Sequence, residues 1–278
     1  MLVEFVTIFL YLRNEKVWCL SYIYTKKYWD MYDSVIYVYM LVAILPENLN
    51  MKGIIYFFLI FNFNFCFSQF GIINDLDGFA NVRNSAEKEN NISDKLENGF
   101  IVYCFEPEGN WINIDYKKNG KELNGYIYKN RIKYITDFQK IPLKSEIDGK
   151  VKLENENVKI EICETKFIKE KHKLKFLKND KSILVKIDNS QIFGTDGNIP
   201  KNEYLNFEII VNSQKIQLPK EAYINLFEPN LDYTLVNYDE NNNRLFIQSM
   251  NSDGAGGYAV IWMFENGKYQ DRFITIPF

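Results

Sequence analysis

The sequence predicts a mostly β protein, in which a small β-barrel precedes a β-sandwich or antiparallel-sheet domain with one short helix. Short runs of alternating apolar and polar residues recur from about residue 71 to the end, and Gly, Asn and Pro turn signals separate them. Only residues 219–227 carry helix signals, because Pro219 suits a first helical position and Glu228-Pro229 ends the run. Together these observations predict a β-rich chain with strands joined by tight turns.

The N-terminal region has the features of an export signal. Residues 51–68 combine a basic start at Lys52, an apolar run, and small residues (Cys66 and Ser68) at the third and first positions before a cut. Cleavage leaves Gln69 as the first residue of a protein exported to the periplasm, the cell envelope or the medium. Residues 1–50 are either translated upstream sequence or a genuine membrane-associated extension. In the second case the apolar run stays uncleaved and anchors the chain in a membrane.

Residues 69–135 contain three pieces that predict the barrel. Residues 74–83 form a turn-rich lead into a short alternation, and residues 96–105 place a turn before a β-rich run. Residues 108–128 then make two strands around the turn signal Asn119-Gly120. Short strands at this spacing are typical of a small closed or half-closed barrel.

The order of these pieces resembles the bacterial SH3 (SH3b) domain. That family runs Leu-Asn-Val-Arg, then Lys-Gly before a strand, then Gly-Trp, and a closing Gly-Trp-Val. Here Asn81-Val82-Arg83 follows Ala80 in place of the Leu, and Tyr126 stands in place of the closing Trp. The resemblance covers under a quarter of the chain and implies an SH3-like β-barrel that serves as a binding module.

Family members commonly bind peptidoglycan peptides or glycans in a shallow groove, so the resemblance implies a similar role here. Five candidate ligand-binding residues lie on the matching pieces: Asn81, Arg83, Trp111, Tyr126 and Tyr128. An aromatic edge with a few hydrogen-bonding groups suits sugars and short peptides, which offer apolar faces and many polar atoms. The alternative is structural, with Arg83 paired internally and Trp111 closing the barrel.

The remainder of the chain predicts a connector, residues 136–149, and a β-rich domain of unknown function, residues 150–278. Alternating runs predict strands at residues 158–162, 183–187, 207–211 and 216–218. Residues 258–264 are nearly all apolar, which indicates a central strand, and Asn266-Gly267 indicates a tight turn after it.

Few residues have the pattern of catalytic chemistry. His172 is the only histidine and stands in a charged run, which predicts a solvated side chain rather than a catalytic base. Cys104 alternates with Val102 and is expected in the barrel core, whereas Cys163 is expected on a polar face. Two free thiols are therefore favoured over a disulfide, and a Cys–His peptidase is excluded.

Two loops, residues 194–200 and 251–257, are rich in small and polar residues. Such loops either coordinate a cation or approach a ligand closely, or they are simply turns in which Gly supplies positive φ. Neither fits a known calcium-loop spacing. We expect no catalytic residue, metal site or cofactor.

The formal net charge of −3 gives no reason to expect a nucleic-acid partner. The sequence therefore predicts a non-catalytic exported protein whose partner is peptidoglycan or an envelope protein, with membrane contact only if the N-terminal apolar segments are retained. Two alternatives remain: a cell-wall hydrolase with a carboxylate-based C-terminal domain, which abundant Asp and Glu leave open, and a protein-interaction or inhibitor module that uses the barrel as scaffold.

Overall fold

The computed structural model describes residues 4–6, 22–24 and 69–277. It confirms a mostly β protein built from antiparallel sheets, one of which is a half-barrel. The predicted signal, residues 51–68, lies outside the described residues. So does the 1–50 extension, apart from β1 (Glu4–Val6) and β2 (Tyr22–Tyr24), which pair with each other. Residues 69–277 belong to one compact unit.

The half-barrel is a seven-stranded antiparallel sheet with the order β5-β4-β8-β7-β6-β3-β9. Its strands are β3 (Gln69–Ile73), β4 (Phe79–Arg83), β5 (Ile92–Glu97), β6 (Ile101–Glu108), β7 (Trp111–Lys118), β8 (Lys121–Tyr128) and β9 (Ile132–Tyr134). In β4 and β7 every second side chain is buried, as the alternating sequence predicts. A single 3₁₀ turn (Lys129–Arg131) separates β8 from β9, and β9 returns to pair with β3.

Gly125 allows β4 to approach β8 in the half-barrel. A Cβ atom at this position would lie 2.5 Å from Val82 Cγ1 and 2.8 Å from the Arg83 carbonyl oxygen. No side chain fits in that space, so glycine is required where the two strands meet. The contact places Arg83 directly opposite Tyr126 in the register.

The rest of the described chain forms two five-stranded antiparallel sheets and a small hairpin. The first, called here the central sheet, has the order β10 (Gln139–Lys140), β18 (Thr234–Asp239), β19 (Arg244–Asn251), β20 (Tyr258–Glu265), β21 (Lys268–Thr275). The second, the outer sheet, has the order β11 (Leu143–Ile147), β12 (Lys150–Glu154), β13 (Val158–Lys166), β16 (Asn202–Val211), β17 (Gln214–Ile216). The hairpin consists of β14 (Leu174–Phe176) and β15 (Leu184–Ile187).

The central sheet is buried on both faces. On one face, residues such as Val260 and Trp262 share a hydrophobic core with Ile160 and Ile209 of the outer sheet. On the other face, a second core joins residues of the central sheet to residues of the half-barrel and the turn after it: Phe246, Ala259, Ile261 and Phe273 with Phe70, Ile72, Tyr103 and Ile135. The prediction that residues 258–264 form a central strand is confirmed, and burial on both faces explains why this run is continuously apolar.

Turn chemistry also agrees with the sequence in the last hairpin. Asn266 and Gly267 have φ angles of 51° and 72°, so both central residues of the turn are left-handed. Asn and Gly tolerate this conformation better than other residues, which is why the pair marks a hairpin so clearly.

The helix predicted at residues 219–227 is wrong. Only Lys220–Ala222 forms a 3₁₀ turn, and the chain beyond it is extended enough for Leu226 and Phe227 to make bridges to Phe193 and Glu203. Both side chains are fully buried. Tertiary pairing of this segment therefore overrides the local helix signal carried by its proline.

Residues 136–149, which the sequence predicts to be a connector, contain strands β10 and β11. Their apolar residues Phe138 and Ile141 are buried in the two cores. The alternation is short because each strand passes into a different sheet. The half-barrel is thus followed by ordered structure rather than by a linker.

Cys104 and Cys163 are both free, as the favoured prediction has it. Cys104 lies in the half-barrel core, and its burial raises the pKa of the thiol to about 12. Ile162 faces the core, and the Cys163 thiol lies near Glu161 on the other face of β13, as the alternation predicts. The Cys163 side chain is nevertheless buried, so it is not the surface thiol that the sequence suggests. Burial raises the pKa of the Cys163 thiol against an opposing effect of Lys150, and the nearby carboxylates of Glu161 and Glu208 add to the increase.

Candidate functional site

Four of the five predicted ligand-binding residues lie together on the outer face of the half-barrel. Trp111 of β7 is directly opposite Tyr128 of β8, and Arg83 of β4 is opposite Tyr126 of β8. All four are partly exposed, whereas the alternate residues between them, such as Ile112, are fully buried. The strand order β4-β8-β7 therefore gathers residues that are distant in sequence onto one surface.

Asn81, the fifth predicted residue, lies two positions before Arg83 on the same face of β4. Its strand partner is Lys95 of β5, whereas the pairing of β4 with β8 is made at Arg83 and Tyr126. Its side chain is partly exposed. Asn81 thus borders the surface rather than forming its centre.

Trp111 and Tyr128, called here the aromatic pair, form the centre of this surface. Their ring centroids are 4.8 Å apart with an interplanar angle of 74°, an edge-to-face geometry. The Arg83 guanidinium carbon lies 5.9 Å from the Trp111 ring centroid, and Lys88 Nζ lies 5.0 Å from that of Tyr128. Both distances are within the range of cation–π attraction. The pair is therefore oriented by its neighbours before any ligand arrives.

The loop between β4 and β5, residues 84–91, is held beside the aromatic pair by Arg83. Arg83 Nη1 donates to the Glu89 carbonyl oxygen at 2.6 Å and to Asn91 Oδ1 at 2.9 Å. Asn91 in turn donates to Ser85 Oγ at 2.6 Å, which fixes the base of the loop. Arg83 is thus paired internally, as the structural alternative has it, and it gives the surface a fixed wall.

His172 is only partly exposed and has side-chain partners, so it is less solvated than the sequence predicts. Its ring stacks on Phe167 with centroids 4.5 Å apart, and its side chain is 17% exposed. Nδ1 lies 2.7 Å from Asp188 Oδ2, and Nε2 lies 3.5 Å from Glu203 Oε2. Asp188 directly follows β15 and Glu203 belongs to β16, so the partners of His172 come from segments that its local sequence does not reveal.

The contacts of His172 connect two segments of the fold and have a structural role. The Lys173 backbone N–H and then the His172 ring lower the pKa of the Asp188 carboxyl. Through its contacts with Asp188 and Glu203, His172 connects the end of the β14–β15 hairpin to β16 of the outer sheet. No Ser, Thr or Cys side chain is hydrogen-bonded to His172 among the described contacts, and nucleophilic catalysis needs such a partner.

The two glycine-rich loops, residues 194–200 and 251–257, lie side by side. Ser252 Oγ donates to the Gly194 carbonyl oxygen at 2.9 Å, and Ser252 N donates to the Glu228 carbonyl oxygen at 3.0 Å. With residues 228–230 they surround an open polar cavity of about 750 Å³. The composition of each loop is distinctive in the sequence, but their contact is not predictable from it, because the strands that follow the loops, β16 and β20, belong to different sheets.

A smaller acidic cavity of about 430 Å³ lies beside the outer sheet. It is lined by one basic residue, Lys150, and by four carboxylates: Glu146, Asp148, Glu164 and Asp232. Burial, and then the negative charges of Glu228 and Asp232, raise the pKa of the half-buried Glu164 carboxyl, against an opposing effect of Lys166. Among the residues that the structure describes, no cluster of three or more His, Cys, Asp or Glu side chains is arranged to hold a metal ion.

The helical segments within 69–277 are three-residue 3₁₀ turns, and none has the length or apolarity needed to cross a bilayer. No protein-family model, curated protein or solved structure matches the chain.

Proposed function

We propose that the protein is a non-catalytic, exported binding protein of the cell envelope, and that its half-barrel is an SH3b-like module for peptidoglycan peptides or glycans. The observation that supports this most directly is the preoriented aromatic pair, which lies on the residues carrying the family resemblance. The 3₁₀ turn before β9 and the pairing of β9 with β3 are consistent with an SH3-like barrel. The central and outer sheets, which share one core, act in this proposal as a β-sandwich that supports the module.

The chemistry of the surface suits such a ligand. Sugar rings and short peptides present apolar faces to aromatic rings and polar atoms to Asn81, Asn113 and Tyr126, which surround the pair. A shallow surface buries little area, so we expect an affinity in the micromolar to millimolar range, about −4 to −8 kcal/mol.

Replacing each ring of the aromatic pair tests this proposal. Trp111→Ala and Tyr128→Ala are each expected to weaken binding of the full chain to purified peptidoglycan sacculi by about tenfold, the equivalent of about 1.4 kcal/mol. A pull-down with quantified bound fraction measures the effect. Tyr233→Ala is the matched control, because Tyr233 is an exposed aromatic residue of the 3₁₀ turn before β18.

Circular dichroism and melting temperature establish that each variant is folded. If folded Trp111→Ala and Tyr128→Ala both bind sacculi as the wild type does, the aromatic pair is not the binding site. If the wild-type chain does not bind sacculi at all, the proposed function itself fails.

Export makes a separate prediction. The mature chain is expected to begin at Gln69 and to be found in the periplasm or the medium, because residues 51–68 have the features of a cleavable signal. Fractionation followed by N-terminal sequencing checks this. Mature protein that still carries residues 1–50 contradicts it.

A second candidate function is cell-wall hydrolysis by carboxylates, which the acidic cavity around Glu164 favours. A carboxyl with a raised pKa close to further carboxyl groups is the arrangement that acid–base hydrolysis uses. Release of sugar or peptide from sacculi, abolished by Glu164→Gln, would establish this candidate over the non-catalytic one.

A further inference from the structure

A cleft lies at the other end of the face that carries the aromatic pair. It has a volume of about 300 Å³, the lower end of the range for small-ligand sites. One wall comes from β7 and β8, with Asp115, Glu122 and Asn124, and the other from β21 and the segment around Phe193. The half-barrel and the central sheet therefore form this cleft jointly.

The charge of the cleft is negative and uncompensated. Asp115 is half-buried and makes no hydrogen bond or ion pair among the described contacts. Its burial, and then the negative charge of Glu122, raise the pKa of the Asp115 carboxyl. Neither Lys nor Arg is among the residues lining the cleft. Lys117 lies opposite Glu122 in the register, and no ion pair between them is found in the described part of the chain.

A half-buried carboxylate without a partner destabilises the fold, since it has lost part of its hydration and gained no cation. Groups of this kind are concentrated at functional sites. A cation entering the cleft would meet both carboxylates and would relieve their mutual repulsion. The electrostatics therefore favour a cationic ligand group.

The remaining lining indicates what should carry that cation. Leu123 and Ile276 are 37% and 57% exposed, so the cleft has apolar walls that are still open to solvent. Phe193 adds a partly buried aromatic surface, and the Gln191 and Asn124 amides offer hydrogen-bond acceptors. Aliphatic carbon fits against the walls, while an N–H donor fits the amides and carboxylates.

We propose that this cleft binds a primary ammonium group on a short aliphatic chain, with Asp115 and Glu122 facing the ammonium and Leu123 and Ile276 contacting the chain. The residues of the cleft support this proposal independently of the aromatic pair, which does not line the cleft.

The position of the cleft extends the proposal to a longer ligand. Trp111, Asn113 and Asp115 alternate along β7 on the same face, so the aromatic pair and the cleft are about 13 Å apart at 3.3 Å per residue. One extended ligand can place an apolar face on the aromatic pair and an amine in the cleft. This extension rests on the proposed function, and it names an amine-bearing peptide as the class of ligand.

The first test uses hexylammonium as the probe and hexanol as its neutral counterpart. Titration of the ¹⁵N-labelled full chain at neutral pH is expected to show millimolar binding of hexylammonium, with the largest shifts at residues 115 and 122–124, and at least tenfold weaker binding of hexanol. Asp115→Asn is expected to weaken hexylammonium binding at least tenfold. Glu106→Gln is the matched control, because it neutralises an exposed acid on β6 that does not line the cleft.

The melting temperature supplies an independent readout. Asp115→Asn removes an unpaired half-buried charge, so the free variant is expected to melt no lower than the wild type. Hexylammonium should raise the melting temperature of the wild type and of Glu106→Gln but not of Asp115→Asn. Binding should also fall as the pH is lowered through the ionisation of Asp115, because a protonated carboxyl no longer attracts the cation.

Equal binding of hexanol and hexylammonium, an unchanged affinity in Asp115→Asn, or shifts confined to residues outside the cleft would each overturn the ammonium site. Sacculi then separate this inference from the proposed function. Hexylammonium binding without sacculus binding supports the cleft and rejects the proposed function, whereas loss of sacculus binding in Trp111→Ala but not in Asp115→Asn supports the proposed function and rejects the extended ligand.

Discussion

Replacing Trp262 by alanine is expected to lower the free energy of unfolding by about 3–5 kcal/mol, a large fraction of the 5–15 kcal/mol typical of a folded domain. Trp262 is fully buried between the central and outer sheets. Its ring lies 5.1 Å from Phe207 and 5.9 Å from Tyr204. Its Nε1 donates to the Ala222 carbonyl oxygen at 2.8 Å. Alanine removes the ring and leaves a cavity that these neighbours cannot fill without moving.

Trp262→Phe separates packing from hydrogen bonding. It keeps an aromatic ring and loses the donor to Ala222, although Arg272 Nη1 still donates to the same oxygen at 2.8 Å. We therefore expect a loss of about 1–2 kcal/mol, well below that of alanine. Urea denaturation followed by circular dichroism measures both values. Equal losses in the two variants would show that the cavity contributes nothing.

Replacing Gly194 by alanine is expected to cost about 2–5 kcal/mol, combining a left-handed backbone with a steric clash. Gly194 has a φ of 96°, a conformation that L side chains rarely adopt. A Cβ atom there would overlap the Phe227 carbonyl oxygen and lie 3.0 Å from Tyr258 Cε1. Phe227 is fully buried and its backbone pairs with Phe193, so the segment cannot move aside without breaking that bridge.

Gly109→Ala is the matched control for this substitution. Gly109 is also left-handed, with a φ of 63°, but nothing lies within 4 Å of the position that a Cβ atom would occupy. Gly109→Ala should therefore lower the free energy of unfolding only by the cost of a left-handed backbone, about 1–2 kcal/mol. Both variants are compared by denaturation in the same buffer. If Gly194→Ala is no more destabilising than Gly109→Ala, the close approach of the loop to Phe227 contributes nothing to the loss of stability.

The local features of the fold are predictable from sequence. Strands β4 and β7 follow alternation, β20 is identified by its unbroken apolar run, and the last turn by Asn266-Gly267. The helix at residues 219–227 is not formed, since burial and bridging of Phe227 are properties of the folded whole. For the same reason the strands within 136–149 are not apparent in the sequence, because each is too short to show several alternating residues.

The candidate site divides in a similar way. Arg83, Trp111, Tyr126 and Tyr128 are candidates from the sequence, and strand pairing brings them together. The loop wall held by Arg83, the environment of His172 and the cleft at Asp115 depend on contacts between distant segments. For example, Asp115 is an ordinary polar residue of a β-strand in the sequence. It lines a cleft only because β21 packs nearby in the folded chain.

Burial of the central sheet on both faces has a consequence for synthesis on the ribosome. The half-barrel emerges first, and its apolar residues Phe70, Ile72 and Tyr103, which face the central sheet in the folded chain, are then uncovered. Their partners Ala259, Ile261 and Phe273 follow only near the end of translation, on the order of ten seconds or more later at 5–20 residues per second. During that interval these apolar side chains lack their partners, so we expect the chain to need shielding from other molecules until the last hairpin is made.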